Sequence, residues 1–349
     1  MKERPRNPNQ HYNGGYAKLY LKKTLLAPYT VRKSKLLASV ASKLGVHAIL
    51  DLGSNVHGSV KMGGSLRFQM NEKGIDYVGM DLSSDYFDKE FLRAQGIPEE
   101  KIYPQIHGII GDILHIPIES DSTEMAVCAD VLEHTSDPSK ALGEIYRILA
   151  PKGMALVVIP SMYKLDMADF DHIKKKRKSS HLEKTTVDEW ISMCEKKGFL
   201  VDKESSLPFG IASGLSYLTW IDECFIPERR EVSGAETHTS ESRLFKEVKS
   251  ILSKYDELLD SKINSDGLNR ALLSALKQGD IKKVFRVLDD VASVIASGKE
   301  KNILHNFFTG AISAQYPKER VEVLQTIFTN SKFPILLLGN SALLVLKKK

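Results

Sequence analysis

Four short apolar runs in the first 130 residues each stop at an acid, and this regularity constrains the fold more than any other feature of the chain. His47–Leu50 runs into Asp51, Asp76–Met80 into Asp81, Gly108–Ile110 into Gly111 and Asp112, and Met125–Cys128 reaches Asp130 through Ala129. A fifth run, Ala155–Ile159, follows a turn at Gly153. Amphipathic stretches at Ser34–Leu44, Tyr86–Ala94 and Pro138–Leu149 separate most of these runs, and Val187–Lys197 precedes another strand-like segment, Phe199–Lys203. Apolar strands alternating with amphipathic helices predict a parallel sheet covered on both faces. Ligands of such sheets bind outside the carboxyl ends of the strands, so the terminal acids form the candidate site. Any one of these acids could cap a helix or make a turn. The ordered set, each member at a strand end, is not accounted for by capping.

The segment ILDLGSNVHG (residues 49–58) is the sharpest of them. A buried strand ends in an acid, and the chain then turns through Gly53. Glycine there permits both positive φ and close approach of backbone to a ligand. Asp81, at the end of the second strand, is placed to accept hydrogen bonds from the two hydroxyls of a ribose.

Beyond Pro227 the texture changes. Residues 229–242 are polar, and helical spacing then takes over at Leu244–Leu259, Leu268–Leu276, Ile281–Ile295, Ile303–Ile312 and Arg320–Thr329. No strand pattern interrupts them, and their lengths differ too much for a repeat. The final segment, Ser341–Leu346 before three lysines, fits a short buried strand or a helix end. The predicted organisation is an N-terminal arm over residues 1–33, a core over 34–227 plus 333–349, and an all-helical module over 228–332 inserted before the last strand.

Composition excludes several classes. Of 349 residues, 42% are hydrophobic and 27% charged, which suits a packed globular chain and not a disordered one. Cys128, Cys194 and Cys224 have neither metal-like spacing nor an even count, so a reducing, cytoplasmic setting is expected. The opening MKERPRNPNQ leads into no apolar stretch of the secretory kind, and Pro334–Leu346 is too short and too broken to span a membrane. The net charge of +5 is mild and does not by itself imply nucleic-acid binding.

The stretches ILDLGS, YVGMDLS, GDILHIPIESDSTEMAVCADVLEHTSDPSKALGEIYRILAPKGMALVVIPS and SHLEKTTVDEWISMCEKKGFLV carry a family resemblance. Over about residues 35–205 the sequence resembles class I S-adenosylmethionine-dependent methyltransferases of the broad type 11 kind. The resemblance implies a Rossmann-like seven-stranded sheet of order 3-2-1-4-5-7-6, its seventh strand antiparallel. It implies S-adenosyl-L-methionine as cofactor. Asp51, Gly53, Ser54, Asn55 and Gly58 would form the loop under the methionine part. Asp81 and Leu82 would hold the ribose, Asp112 and Ile113 the adenine. Asp130 and Val131 would line the cofactor near the sulfonium, and His134 would face the acceptor. The loop departs from the family pattern: Asn55 and His57 stand where glycines are usual, with Gly58 one place late. The Asp51–Asp81 spacing is also long, with Lys61–Ser65 extending the loop.

His134 is the candidate base for a hydroxyl acceptor, with a capping or loop role as the competing assignment. Tyr16, in the arm, and Tyr163 and His181, in the loop after the fifth strand, are candidate acceptor contacts. Tyr217 and Trp220, in an apolar segment, are candidates for a hydrophobic acceptor wall or for the core. Lys174–Lys178 is a run of five cations suited to an anionic acceptor or to solvent. Asp166, Asp169, Asp171 and His172 include hard-metal ligand types, but no metal is expected. The function expected is methyl transfer to a small-molecule, sugar or lipid-linked acceptor. A nucleic-acid methyltransferase using residues 174–178 and a non-catalytic cofactor-binding scaffold are the alternatives. The nucleic-acid assignment is not favoured, because no Asn/Asp-Pro-Pro-aromatic motif and no Pro-Cys pair is present.

Overall fold

The computed structural model describes residues 27–54, 66–84, 89–94, 108–161, 185–212, 214, 243–263, 266–316 and 318–349. In chain order the elements are α1 (Ala27–Lys43), β1 (Ala48–Leu52), α2 (Leu66–Glu72), β2 (Asp76–Asp81), α3 (Lys89–Ala94), β3 (Gly108–Ile110) and β4 (Thr123–Ala129). After a 3-10 turn at Leu132–His134 come α4 (Pro138–Ile148), β5 (Leu149–Pro160), α5 (Val187–Lys196), β6 (Phe199–Val201) and β7 (Leu207–Phe209). Helices α6 (Arg243–Lys254), α7 (Asp256–Ile263), α8 (Asp266–Lys277), α9 (Ile281–Ile295), α10 (Gly298–Ser313) and α11 (Lys318–Asn330) follow. A 3-10 turn at Pro334–Leu338 leads into β8 (Ser341–Lys348).

The strands form one sheet in the order β3-β2-β1-β4-β5-β8-β6, with β7 also paired to β8. This is the expected Rossmann-like methyltransferase order, with β6 as the sixth strand and β8 as the seventh. Strand β1 is parallel to β2 and β4, β2 to β3, and β4 to β5, whereas β6 and β7 are antiparallel to β8. Ser341–Leu346 is therefore strand and not a helix end, every residue of it buried. Successive residues point to opposite faces of the sheet and all are buried, so both faces are covered here, which is why the sequence is continuously apolar instead of alternating.

Several boundaries differ from the sequence expectation. Helix α1 starts at Ala27, not Ser34, so its first two turns reach into the segment assigned to the arm. Strand β5 starts at Leu149, and β7 and α2 carry too few residues for periodicity to reveal. Helix α10 begins at Gly298, ahead of its apolar face at Leu304, Phe307, Phe308 and Ala311.

The chain divides into two compact units. One contains the described residues of 1–158 together with Ser192–Ser206 and Leu344–Lys349. Its core is the strand interior, with Leu52, Met125, Val127, Leu156 and Val157 fully or almost fully buried, and α4 covers it with Ala141, Leu142, Ile145 and Ile148. Asp137 caps α4 by accepting from Lys140 N at 2.8 Å, and Pro138 occupies the first turn, where it costs no hydrogen bond. Lys348 Nζ ties the last strand down by donating to Asp121 at 2.6 Å and to the Leu149 carbonyl at 2.7 Å.

The other unit contains the described residues of Ile159–Ile191 and Leu207–Leu343. Here α9 buries the stripe Ile281, Val284, Phe285, Leu288, Val291, Ala292 and Ile295, the spacing of one helix face. Phe285 stacks on Tyr316 with ring centroids 5.9 Å apart. Asp260 on α7 accepts from Gly210 N at 3.1 Å and Ile211 N at 3.0 Å, pinning the chain after β7. No helix among the described residues is long and apolar enough to cross a membrane.

Candidate functional site

Pairing aligns the strand ends. Leu52 lies opposite Met80 on one side and Cys128 on the other, and Asp81 lies opposite Ile110. The acids at 51, 81, 112 and 130 therefore share the carboxyl edge of the sheet, as the sequence pattern required.

Asp51 is 7% exposed, and Tyr77 Oη donates to its Oδ2 at 2.6 Å. Burial raises its carboxyl to about 6, against the opposing pull of the Tyr77 hydroxyl and the Lys33 charge. The chain turns directly after it. Gly53 has φ +80°, and both Gly53 N and Ser54 N donate to Met80 O, at 2.8 and 3.0 Å. A Cβ at Gly53 would lie 2.5 Å from Val131 Cγ2, so the β1 turn and the β4 turn touch at a point only glycine fits. Ser54 is buried beside the Tyr77 hydroxyl.

Asp81 is half-buried and accepts from Ser83 N at 3.1 Å. Burial raises it to about 7; Ser83 N opposes the rise and the nearby Asp51 adds to it. Leu82 is exposed beside it, as is Ile110 at the end of β3. Asp112 folds its own turn, accepting from Leu114 N at 2.9 Å, and Ile113 is buried.

The turn after β4 is the most constrained part of the edge. Asp130 adopts φ +57°, uncommon for a residue with a side chain and characteristic of functional turns. Lys33 Nζ, from α1, pairs with Asp130 Oδ2 at 2.6 Å, and Tyr29 Oη stands 3.5 Å from both carboxylate oxygens. Val131 packs toward Gly53. His134 ends the 3-10 turn half-buried, its N–H donating to Val131 O at 2.9 Å.

Glu133 was not anticipated. It is 1% exposed, and its Oε2 lacks a hydrogen-bond partner among the described residues. Burial raises it well above the ordinary carboxylate range; Asp130 adds to the rise, while its own backbone N–H and Lys33 oppose it. Burial likewise pushes the Cys128 thiol well up, helped by Glu133, Asp51 and Asp130.

The structure thus gathers Asp51, Gly53, Ser54, Asp81, Leu82, Asp112, Ile113, Asp130, Val131 and His134 on consecutive strand-end turns of one unit. Asn55, Gly58, Tyr16, Tyr163, His181, Tyr217, Trp220 and the basic run 174–178 lie outside the described residues. Chemically, the described residues of the edge hold more carboxylates than cations. It suits a ligand that brings hydroxyl donors and positive charge.

Comparison with known proteins follows the same lines. The family model described as a methyltransferase domain matches residues 61–157. A protein named as the uncharacterized methyltransferase YcgJ of Bacillus subtilis is 24% identical over 191 residues, 53% of this chain and 68% of YcgJ. A methyltransferase of Mycobacterium tuberculosis is 30% identical over 105 residues, 30% of this chain and 36% of that protein. The chain spans from 22% to 68% of the length of the curated relatives it matches. The solved YcgJ structure aligns with a TM-score of 0.38 at 19% identity, covering 58% of this chain and 85% of that one.

Proposed function

We propose that this chain, which carries a methyltransferase domain over residues 61–157, transfers a methyl group from S-adenosyl-L-methionine to a small-molecule, sugar or lipid-linked acceptor. The observation that carries the proposal is the alignment of Asp51, Asp81, Asp112 and Asp130 on one sheet edge, behind a glycine turn that no side chain fits. The cofactor's chemistry matches those groups: it brings a ribose diol, an ammonium and a sulfonium to an edge rich in carboxylates. When bound it supplies a methyl group already activated for in-line attack.

The chain's own part is positioning. Asp81 holds the ribose hydroxyls, and Leu82 covers the same end. Asp112 and Ile113 meet the adenine. Asp51, Gly53 and Ser54, with Asn55 and Gly58, form the floor under the methionine part. Asp130 and Val131 line the sulfonium end, where α1 contributes Lys33 and Tyr29. His134 is assigned to the acceptor side as the group that takes a proton from a hydroxyl nucleophile. Tyr16, Tyr163, His181, Tyr217 and Trp220 are assigned to acceptor binding. The free thiols at Cys128 and Cys194 favour a cytoplasmic setting.

The helical module over 228–332 is assigned as an insertion between the sixth and seventh strands, the chain returning to the core for β8. Deleting residues 333–349 removes a strand flanked on both sides, and the outcome expected is a chain that no longer folds or binds cofactor. A truncated chain that still binds would make the helices an appendage.

Turnover is the direct test. The full chain is incubated with methyl-labelled S-adenosylmethionine and fractionated small-molecule, glycan and lipid extracts, and S-adenosylhomocysteine is measured. Acceptor-dependent product in one fraction supports the assignment. Cofactor binding without turnover in any fraction, and turnover with nucleic acid alone, each contradict it.

A further inference from the structure

Glu133 has no role in the assignments above, yet it is the most buried carboxylate at the site. Its side chain is 1% exposed and leaves Oε2 without a hydrogen-bond partner among the described residues. A buried carboxyl oxygen with no donor loses most of its hydration and gains nothing in return, so the neutral acid is favoured. The charged and titratable groups that face it come from three elements. Asp130 stands on its own turn, Lys33 comes from α1, and the Cys128 thiol comes from β4. Lys33 is already committed to Asp130 at 2.6 Å. Among the described residues Lys33 is the cation that faces the pair, and it neutralises one acid and leaves the other to hold its proton. Consistently, burial and the neighbouring Asp130 hold the Glu133 carboxyl well above the ordinary carboxylate range, which favours the neutral form.

We propose that Glu133 is a positioning residue that follows the charge of the bound cofactor, losing its proton when the cationic sulfonium is present and regaining it when the neutral thioether remains. The proposal rests on the methyltransferase assignment, which puts Asp130 and Val131 at the sulfonium end. A single positive charge within about 4–6 Å lowers a carboxyl pKa by roughly 1–3. That change shifts Glu133 from the neutral acid toward the carboxylate. The anion then sits beside the sulfonium before transfer and is left uncompensated after it. Methyl transfer removes the sulfonium charge, and an acceptor X–H loses its proton as the X–CH3 bond forms. Glu133 takes one proton back from solvent or from that released proton, so charge balances at each stage. Its consequence is discrimination: the site binds substrate cofactor with an anion and product with an acid, which weakens the hold on product.

Proton-linked calorimetry tests this without turnover. The full chain is titrated at pH 7 with S-adenosylmethionine and with S-adenosylhomocysteine, in buffers of different ionisation enthalpy, and protons released per ligand are read from the buffer dependence. The two ligands share the ribose, the amine and the carboxylate, so the Asp81 contribution cancels in the difference, and Glu133→Gln separates Glu133 from the other groups near the sulfonium. Wild type is expected to release about half to one proton more with the sulfonium ligand, and Glu133→Gln is expected to lose that excess. An equal excess in Glu133→Gln, or no excess in wild type, overturns the proposal while leaving the cofactor assignment standing. No binding of either ligand by wild type overturns the assignment itself and the proposal with it. If Glu133→Gln does not fold, the wild-type affinity ratio of the two ligands is measured from pH 6 to 9. The sulfonium preference should rise with pH, by about tenfold in all where the sulfonium lowers the Glu133 pKa by about 1, and by more where it lowers it further. A constant ratio overturns the proposal.

Discussion

Asp51 and Glu144 belong to the same compact unit, yet their surroundings treat them oppositely. Asp51 is buried at the carboxyl edge and pushed up to about 6. Glu144, on α4, holds Arg147 Nε at 2.9 Å and accepts from Ile116 N at 2.9 Å, and the Arg147 hydrogen bonds keep it below the usual carboxylate range. The contrast is general in this part of the molecule. Asp81 and Glu133 are raised by burial, as Asp51 is. Asp202 is lowered by Lys347, 2.8 Å away. Glu124 resists its own partial burial because the N–H groups of His47 and Ala48 donate to it, at 3.0 and 3.1 Å. Acids that brace the scaffold are satisfied within the chain. Asp51, Asp81 and Glu133 at the carboxyl edge are desolvated and only partly paired, an arrangement that costs stability and marks a ligand site.

The sharpest way to break this contrast is to fill the strand-end turn. Gly53→Val combines an unfavourable positive φ with a collision at Val131. It should abolish cofactor binding by calorimetry and lower stability by about 3 kcal/mol in thermal unfolding. An unchanged affinity would mean that the turn is not the cofactor floor.

Asp81→Ala follows in size. Loss of charge-assisted contacts to the ribose should weaken cofactor binding by about 1–3 kcal/mol, with little change in folding. In wild type the ionised carboxylate is the better acceptor, so affinity should fall as pH drops through about 7.

Asp51→Asn turns the contrast into a stability measurement. A folded-state value raised above the unfolded one means that stability is present at low pH and lost as pH rises through about 6. The neutral amide escapes that loss. The variant should therefore match wild type near pH 4 and exceed it by about 1–2 kcal/mol at pH 8 in chemical denaturation.

Glu144→Gln should show the reverse sign and the smallest effect. It should cost about 1 kcal/mol at pH 7, and the cost should vanish as pH falls below the usual carboxylate range, where wild type loses the pair as well. If both variants had the same pH dependence, the division between ligand-site and scaffold acids would fail.

The sequence already marked much of this edge. Period and strand length exposed β1, β2, β4 and β5, and the terminal acids followed from them. The apolar run before the final lysines was legible as buried, although only pairing could make it the seventh strand. What escaped were relations between distant residues. Lys33 and Asp130 are far apart in the chain and meet only because α1 begins earlier than its apolar spacing. Tyr77 counted as a strand residue, but its hydroxyl reaches across to Asp51. Glu133 looked like an ordinary polar residue in a turn. Its burial depends on the packing of Leu132, α4 and the β4 end, which no local pattern encodes.

The central claim is that the strand-end acids form a cofactor site, and calorimetry of the full chain with S-adenosylmethionine and S-adenosylhomocysteine tests it most directly. The account predicts one-to-one binding of both ligands, weakened by Asp81→Ala and unaffected by Glu144→Gln. Absence of binding at millimolar ligand, or equal affinities for wild type and Asp81→Ala, would contradict it.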